Sequence, residues 1–228
     1  MFKTIVNAFK MPDLRKKMLF VLMILLVYRL GAVIPVPFVN SDTLAETFNS
    51  ASGSIFQYLN IMSGEAFSRA TLFALSVQPY ITASIVMQLL TIAIPALERL
   101  QSQGEEGRKK ITTITRYVTV GLGLITSYGY YAYIKSTGAL ISMTSQGQKV
   151  LAALVIIACY SAGSALVMWL GEQIDVKGIG NGISILLFAG IISRGPQALN
   201  ALVAYWKLDQ QVAVVGIVLL FLAVIVFI

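Results

Sequence analysis

Long apolar runs separated by short polar segments make up most of this 228-residue chain. A helix needs roughly 20 mainly apolar residues to cross a bilayer, and most of these runs approach that length. The pattern predicts an all-α fold, a polytopic transmembrane helix bundle. The predicted spans cover residues 18–34, 72–97, 117–134, 150–170 and 179–193. Polar loops are expected at residues 39–54, 98–116, 135–149 and 194–211.

Two further segments flank these spans. Residues 1–17 are basic, with Ile5, Val6 and Phe9 at helical spacing, which predicts an amphipathic helix on the membrane surface. Residues 212–228 are apolar throughout, and at 1.5 Å per residue they reach about one bilayer thickness. We expect them to be the start of a sixth span in a chain of about twice this size.

The segment 55–69 differs from both the spans and the loops. It is too short and too polar to cross a bilayer, yet it is more apolar than an ordinary loop, and Ser63-Gly64 interrupts it. Irregular backbone at membrane depth is tolerated only where protein buries it or where it lines a cavity. The sequence therefore predicts a re-entrant segment beside the second span.

The second predicted span carries polar residues that a simple anchor does not need. Because Pro79 lacks an amide hydrogen and restricts Gln78, a continuous helix must begin or kink there. Downstream, one helical stripe combines isoleucine with polar side chains: Ile81, Ser84, Ile85, Gln88 and Ile92. Two interpretations stay open. The stripe lines a passage, or it forms a seam in which polar groups bond to neighbouring helices.

Small and aromatic residues mark the third and fourth spans. Gly121, Gly123 and Gly129 are expected to allow close helix approach. The tyrosines of the same span are expected to form an interfacial belt; they are Tyr128, Tyr130, Tyr131 and Tyr133. In the fourth span, a small-residue face is expected at Ser161, Gly163 and Ser164.

The composition supports a membrane protein and narrows its chemistry. Hydrophobic residues make up 57% of the chain and charged residues 12%, and the mean hydropathy is +0.80. Histidine is absent, which excludes His-based metal sites and Ser–His or Cys–His catalysis. The one cysteine, Cys159, lies in an apolar run and is expected to be a small buried hydrophobe. The Gly-rich stretch 178–182 follows no strand, so it does not predict a dinucleotide site.

The net charge of +7 is interpreted as a signal for the orientation of the chain in the membrane. Most of the 17 Lys and Arg residues lie on one side, in residues 1–17 and 98–116. That side is predicted to be cytoplasmic, with the N-terminus inside and the 55–69 segment on the outer side. In the charged loop, Arg108, Lys109 and Lys110 either anchor the topology or dock a cytosolic partner. Arg29 either serves a function within the membrane or snorkels to the outer headgroups.

Two long motifs carry a family resemblance. Residues 76–90 read SVQPYITASIVMQLL, and residues 169–184 read WLGEQIDVKGIGNGIS. With these motifs the chain resembles the SecY family, the central subunits of the bacterial protein-conducting channel, over its whole length. It departs from the family at Asp175, where a small hydroxyl or amide residue is usual. It also departs at Ser63-Gly64, where many members have a glycine pair.

The resemblance implies a ten-span channel of two inverted halves around an hourglass pore. This chain matches the first five spans, at about 18–211, and the start of the sixth. The 55–69 segment, here called the plug segment, would close the pore from outside through Phe56, Tyr58, Leu59, Ile61, Met62, Ser63, Gly64 and Phe67. A pore ring would consist of Ile81, Ile85, Ile183 and Leu187. The second and third spans would form one side of a lateral gate, with Thr82, Ser84 and Gln88 at the gate or vestibule.

The resemblance also implies a function and partners. The channel would translocate secretory proteins across the cytoplasmic membrane and insert membrane proteins laterally into it. Its partners would be SecE, SecG, the SecA motor, the ribosome, signal sequences, unfolded polypeptide and membrane lipids. Because the motor or the ribosome supplies the drive, no catalytic residue, cofactor or metal is expected.

Two other function classes are weighed against a channel. A secondary transporter also uses broken helices at mid-membrane, but it needs an ion-coordinating or charged cluster. Apart from Arg29, the predicted spans contain no ionisable cluster. A structural scaffold would not explain a re-entrant segment.

Overall fold

The computed structural model describes residues 11–50, 55–142 and 145–207, and most of them are helical. Most of the basic N-terminal segment and the whole predicted start of the sixth span lie outside the described residues. The helices are α1 (Pro12–Gly31), α2 (Ser41–Ser50), α3 (Ile55–Met62), α4 (Gln78–Ala93), α5 (Pro95–Ser102), α6 (Glu105–Ser136), α7 (Gln146–Lys177), α8 (Gly182–Ile192) and α9 (Gly195–Lys207).

Proline residues set the beginnings of three helices. Pro12, Pro79 and Pro95 each occupy the first turn of α1, α4 and α5, where a missing amide hydrogen costs no helical hydrogen bond. Because a residue before proline is pushed out of the helical region, Ile94 is extended, with φ −109° and ψ 111°. The chain bends there by 99° between α4 and α5.

Three segments that read as polar loops contain helix. In the first, the Asn40 side chain accepts hydrogen bonds from the backbone N–H groups of Asp42 and Thr43, and α2 then buries Leu44 completely. The charged region 98–116 belongs to α5 and α6, with a turn at Gln103-Gly104 only. Helix α9 occupies much of the third, 194–211. Polar composition is common to loops and to helices near the surface, so it did not distinguish the two.

Length and hydropathy alone single out few of these helices as membrane-crossing. Within the described residues, α7 is long and apolar enough by itself, and α4 with α5 qualifies if the bent pair counts as one span. Helix α1 carries charged residues at both ends, and α6 contains tyrosine, threonine and glycine, so the mean hydropathy of both helices is lower. Helix α8 has only 11 residues.

Two buried clusters hold the bundle together. The first lies between the plug segment, α6 and α7 and is built on Phe67, Tyr130, Ile134 and Tyr160. The second lies between α1, the residues before α4, α7 and α8, and includes Tyr28, Phe73, Val167 and Leu186. The half-buried Cys159 packs against the first cluster.

Helix α6 shows which small and aromatic residues of the third span pack. Gly123 lies against Ser164 of α7, and the fourth-span face of Ser161, Gly163 and Ser164 is buried, as predicted. Gly121 and Gly129 have no described neighbour within 4 Å of an added methyl group, so the expectation of close packing is wrong there. The tyrosine belt is also divided, because Tyr130 lies on the buried face of α6 while Tyr128 is exposed.

Candidate pore wall and plug segment

The plug segment consists of the short helix α3 followed by an irregular turn. Helix α3 ends at Met62, directly before Ser63-Gly64, and the backbone then takes left-handed φ values of 64° at Gly64 and 72° at Glu65. The Ser63 hydroxyl accepts a hydrogen bond from the Phe67 N–H at 3.1 Å, and the Asn60 side chain accepts one from the Ser68 N–H at 3.0 Å. These bonds satisfy backbone groups that a non-helical turn leaves unpaired.

The end of the plug segment is anchored in the first buried cluster. The Phe67 ring lies 4.4 Å from the Tyr130 ring, and the Tyr130 hydroxyl donates a hydrogen bond to the Phe67 carbonyl oxygen. Beyond it, Leu72 N–H donates to the Ile34 carbonyl oxygen at 2.9 Å, which joins the exit of the plug segment to the exit of α1. The end of the segment is therefore held against α6 and the exit of α1.

The predicted plug residues do not share one environment. Ser63 and Phe67 are buried, Leu59, Met62 and Gly64 are half-buried, and Ile61 is exposed. Phe56 and Tyr58 lie within α3, and their side chains are outside the described part of the chain.

An apolar cavity of about 260 Å³ lies among the plug segment, the residues before α4, α6 and α8. Its lining includes Leu59, Met62 and Phe67 of the plug segment, Tyr130 of α6 and Leu187 of α8. One of the four predicted ring residues therefore lines the same cavity as the predicted plug.

The four predicted ring residues are partly brought together. Ile81, Ile183 and Leu187 are half-buried and pack against the second buried cluster. Ile85, one turn beyond Ile81 on α4, is 52% exposed. The described residues thus assemble three of the four side chains and leave the fourth on an open face.

Two of the predicted gate residues of α4, Thr82 and Gln88, are exposed like Ile85, whereas Ser84 between them is half-buried. Thr82 donates to the Gln78 carbonyl oxygen at 3.1 Å, and the Gln88 amide donates to the Ser84 hydroxyl at 3.4 Å, so these groups are paired within their own helix. The opposite face of α4 is the one that packs, through Pro79, Ala83, Met87 and Thr91. Both interpretations of the stripe, a passage wall and a helix–helix seam, stay predictions.

The Gly-rich entry to α8 is a close contact between two helices. A methyl group at Gly182 would overlap the carbonyl oxygen of Gly171 on α7, so only glycine fits. The Asp175 carboxylate accepts a hydrogen bond from the Gly182 N–H at 2.6 Å, and the Asn181 side chain accepts one from the Ser184 N–H at 3.0 Å. Both bonds cap the beginning of α8. In the sequence, Asp175 stood out only as a departure from the family pattern. The available signal for its capping role was an acidic residue shortly before a Gly-Asn-Gly helix start.

The predicted docking cations lie on the first turns of α6. Arg108, Lys109 and Lys110 are exposed, and the first two line a shallow depression that Arg116 also borders. Arg116 donates from Nε to the Glu172 carboxylate of α7 at 2.7 Å. This hydrogen bond raises the pKa of Arg116 above its ordinary value, so the guanidinium stays charged and ties α6 to α7.

The described residues contain no group of three or more His, Cys, Asp or Glu side chains arranged to hold a metal ion. A charged group of side chains lies at the C-terminal end of α8, where Arg194 and Gln197 donate to Glu65 of the plug segment, each at 3.2 Å. The sequence analysis did not single out Glu65, because its partner Arg194 is remote along the chain.

Comparison with known proteins identifies the family. A family model described as SecY matches residues 71–228. The protein translocase subunit SecY of Streptomyces coelicolor is 44% identical over 218 residues, which cover 92% of this chain and 48% of that protein. The protein of the same name from Pseudomonas aeruginosa is 40% identical over 96% of this chain and 49% of its own length. The chain thus spans about half the length of these relatives.

Solved structures share the fold at lower identity. A chain of Sec61 in the canine ribosome-channel complex from the endoplasmic reticulum aligns with a TM-score of 0.55 at 22% identity, over 79% of this chain and 36% of that one. A structure of a protein conducting channel aligns with the same values. The family match over most of the chain, together with these relatives, shows that the chain belongs to the SecY family.

Proposed function

We propose that these residues form half of a protein-conducting channel, which moves secretory proteins across the cytoplasmic membrane and releases membrane proteins laterally into lipid. The observation that carries the proposal is the fold of the plug segment. It packs on α6, is hydrogen-bonded to the exit of α1, and lines an apolar cavity together with Leu187. A hydrophobic constriction can gate a pore by dewetting, and a segment packed beside it would close the resting channel. The translocase relatives at 40–44% identity support the same assignment.

Each predicted site residue receives a role in this proposal. Ile81, Ile85, Ile183 and Leu187 form this half's share of the pore ring, and the plug segment covers it from outside. Thr82, Ser84 and Gln88 line the lateral gate or the vestibule, which agrees with the exposure of Thr82 and Gln88 and the half-buried position of Ser84 on α4. Arg108, Lys109 and Lys110 dock a cytosolic partner, which agrees with their exposure on α6.

The partners and topology belong to the same proposal. The N-terminus and the turn at Gln103-Gly104 lie in the cytoplasm, as the charge distribution favours. The ribosome or the SecA motor delivers an unfolded polypeptide there, and SecE and SecG complete the channel in the membrane. The Sec61 chain that shares this fold comes from a ribosome-channel complex, which supports the ribosome as a partner.

Reconstituted transport tests the function. The full-length protein, with its partner subunits in vesicles, should import a labelled secretory precursor when the motor and ATP are supplied. It should not accumulate labelled amino acids, sugars or ions down an imposed gradient. Accumulation of a small solute without precursor import would instead support a secondary transporter.

A further inference from the structure

The turn of the plug segment packs closely against the C-terminal end of α8, which the proposed topology places on the outer side. A methyl group at Gly64 would lie 2.5 Å from the Ser193 hydroxyl and 2.8 Å from the Gly190 carbonyl oxygen. From the other side, a methyl group at Gly190 would lie 2.6 Å from the Met62 carbonyl oxygen. The two backbones therefore meet through a pair of glycines, and neither position has room for a side chain.

A hub of polar contacts follows this glycine contact directly. The Glu65 carboxylate accepts from Arg194 on one oxygen, and from Gln197 and Arg69 on the other, each at 3.2 Å. Arg194 and Gln197 belong to the α8–α9 end, whereas Arg69 belongs to the plug segment itself. The Glu65 side chain is 20% exposed and that of Arg194 31%, so water screens this pair less than a fully exposed one.

The backbone at Glu65 also depends on surrounding contacts. Its φ of 72° is left-handed, a conformation that favours glycine and is uncommon for glutamate. A residue in this conformation persists only where the surrounding structure holds it. Here the contacts are those of the hub.

We propose that Glu65, Arg194 and Gln197, together with the Gly64–Gly190 contact, form a clasp that holds the plug segment on the outer end of α8. The proposal rests on the proposed function, which makes the 55–69 segment the plug. Helix α8 also carries Ile183 and Leu187, so the clasp joins the stopper to a helix of the pore ring. A polypeptide that shifts α8 must break the Glu65–Arg194 pair before the plug segment can leave.

Amide hydrogen exchange in the plug segment tests the clasp. The full-length protein, with its partner subunits and without substrate, is followed by mass spectrometry on peptides covering residues 63–71. Arg194→Gln should speed exchange there by about five-fold, the change expected for a part-buried ion pair within a network. Arg194→Lys, which keeps the charge, should retain most of the protection. The double variant Glu65→Gln/Arg194→Gln should speed exchange by less than the product of the two single effects, because both changes remove the Glu65–Arg194 contact.

Arg69→Gln is the matched control. Arg69 donates to the same carboxylate, but it belongs to the plug segment itself, so this bond does not join the segment to α8. Arg69→Gln should therefore change the exchange rate by less than about two-fold. Gly190→Ala is a second, uncharged probe; it should speed exchange by pushing against Met62. Unchanged exchange in both Arg194→Gln and Gly190→Ala, or an equal effect of Arg69→Gln, would overturn the clasp. Hydrogen exchange is measured without transport. If these exchange differences were observed but precursor import failed, the result would count against the proposed function and not against the clasp.

Discussion

At the scale of single residues, glycines and capping side chains determine how closely the elements approach. Gly182 faces the Gly171 carbonyl, and Gly163 faces the carbonyl of Leu72 in the same way. Asp175 adds a carboxylate at the beginning of α8, where the helix dipole favours a negative charge. These contacts orient α8, and therefore Ile183, relative to α7.

Substitution of Gly182 should be costly, whereas a similar change elsewhere should not. Gly182→Ala in the full-length protein should lower the free energy of unfolding by about 1–3 kcal/mol, because the methyl group overlaps a backbone carbonyl that cannot rotate away. Gly121→Ala on α6, where an added methyl meets nothing described within 4 Å, is the control and should not destabilise. Thermal unfolding in detergent measures both; equal losses would show that the α7–α8 contact is not tight.

At the scale of elements, the proposed pore-ring residues are shared between α4 and α8. Helix α4 packs through one face and leaves Ile85 and Ile92 on the other, with Ile92 80% exposed. Helix α8 presents Ile183 and Leu187 one turn apart and packs through Gly182, Leu186 and Gly190. An open aliphatic face on α4 is expected where the chain spans only half of its relatives, because the remainder of the channel would face it.

A seal made of these side chains should depend on their polarity more than on their size. In the full-length channel, changing Ile81, Ile85, Ile183 and Leu187 together to serine should allow ions to leak at rest while translocation continues, because a polar constriction stays wet. The same four positions changed to valine should leak far less. Planar-bilayer conductance without substrate is the measurement. A serine variant as tight as the parent would mean that the four side chains serve packing alone.

At the scale of the whole molecule, the long helices α6 and α7 determine which parts of the chain lie at the same end of the bundle. Each has 32 residues, which at 1.5 Å per residue is about 48 Å and exceeds the thickness of a bilayer's apolar core. The Arg116–Glu172 pair joins their ends on the side of the Gln103-Gly104 turn. The Glu65 hub lies near the C-terminal end of α8, beside the plug segment.

Labelling from the two sides of the membrane tests the orientation. The test uses a full-length protein in which Cys159 and any other cysteine are replaced. Ser102→Cys should react with an impermeant maleimide only from the cytoplasmic face, because Ser102 lies on the side of the membrane that carries most of the Lys and Arg residues. Ser136→Cys, exposed at the other end of α6, is the control and should react only from outside. Reaction of residue 102 from the outer face alone would reverse the topology.

Periodicity and local chemistry were sufficient for several features. The sequence by itself determined the helical class, the helix start at Gln78-Pro79, the interruption of the plug segment at Ser63-Gly64 and the small-residue face of α7, because each depends on neighbours in the chain. It also supported the family through two long motifs. Polar helices such as α2 and α9 were missed because exposed helix and loop share the same composition.

Only the tertiary structure decided which residues meet. Glu65 and Arg194 are separated by 129 positions, and nothing local predicts their pairing. Likewise, Tyr130 and Tyr128 look alike in sequence, but packing against Phe67 buries the first and leaves the second exposed. Gly182 differs from Gly121 only in having a carbonyl of another helix beside it. Such contacts depend on how helices pack, which is a property of residues far apart in the chain.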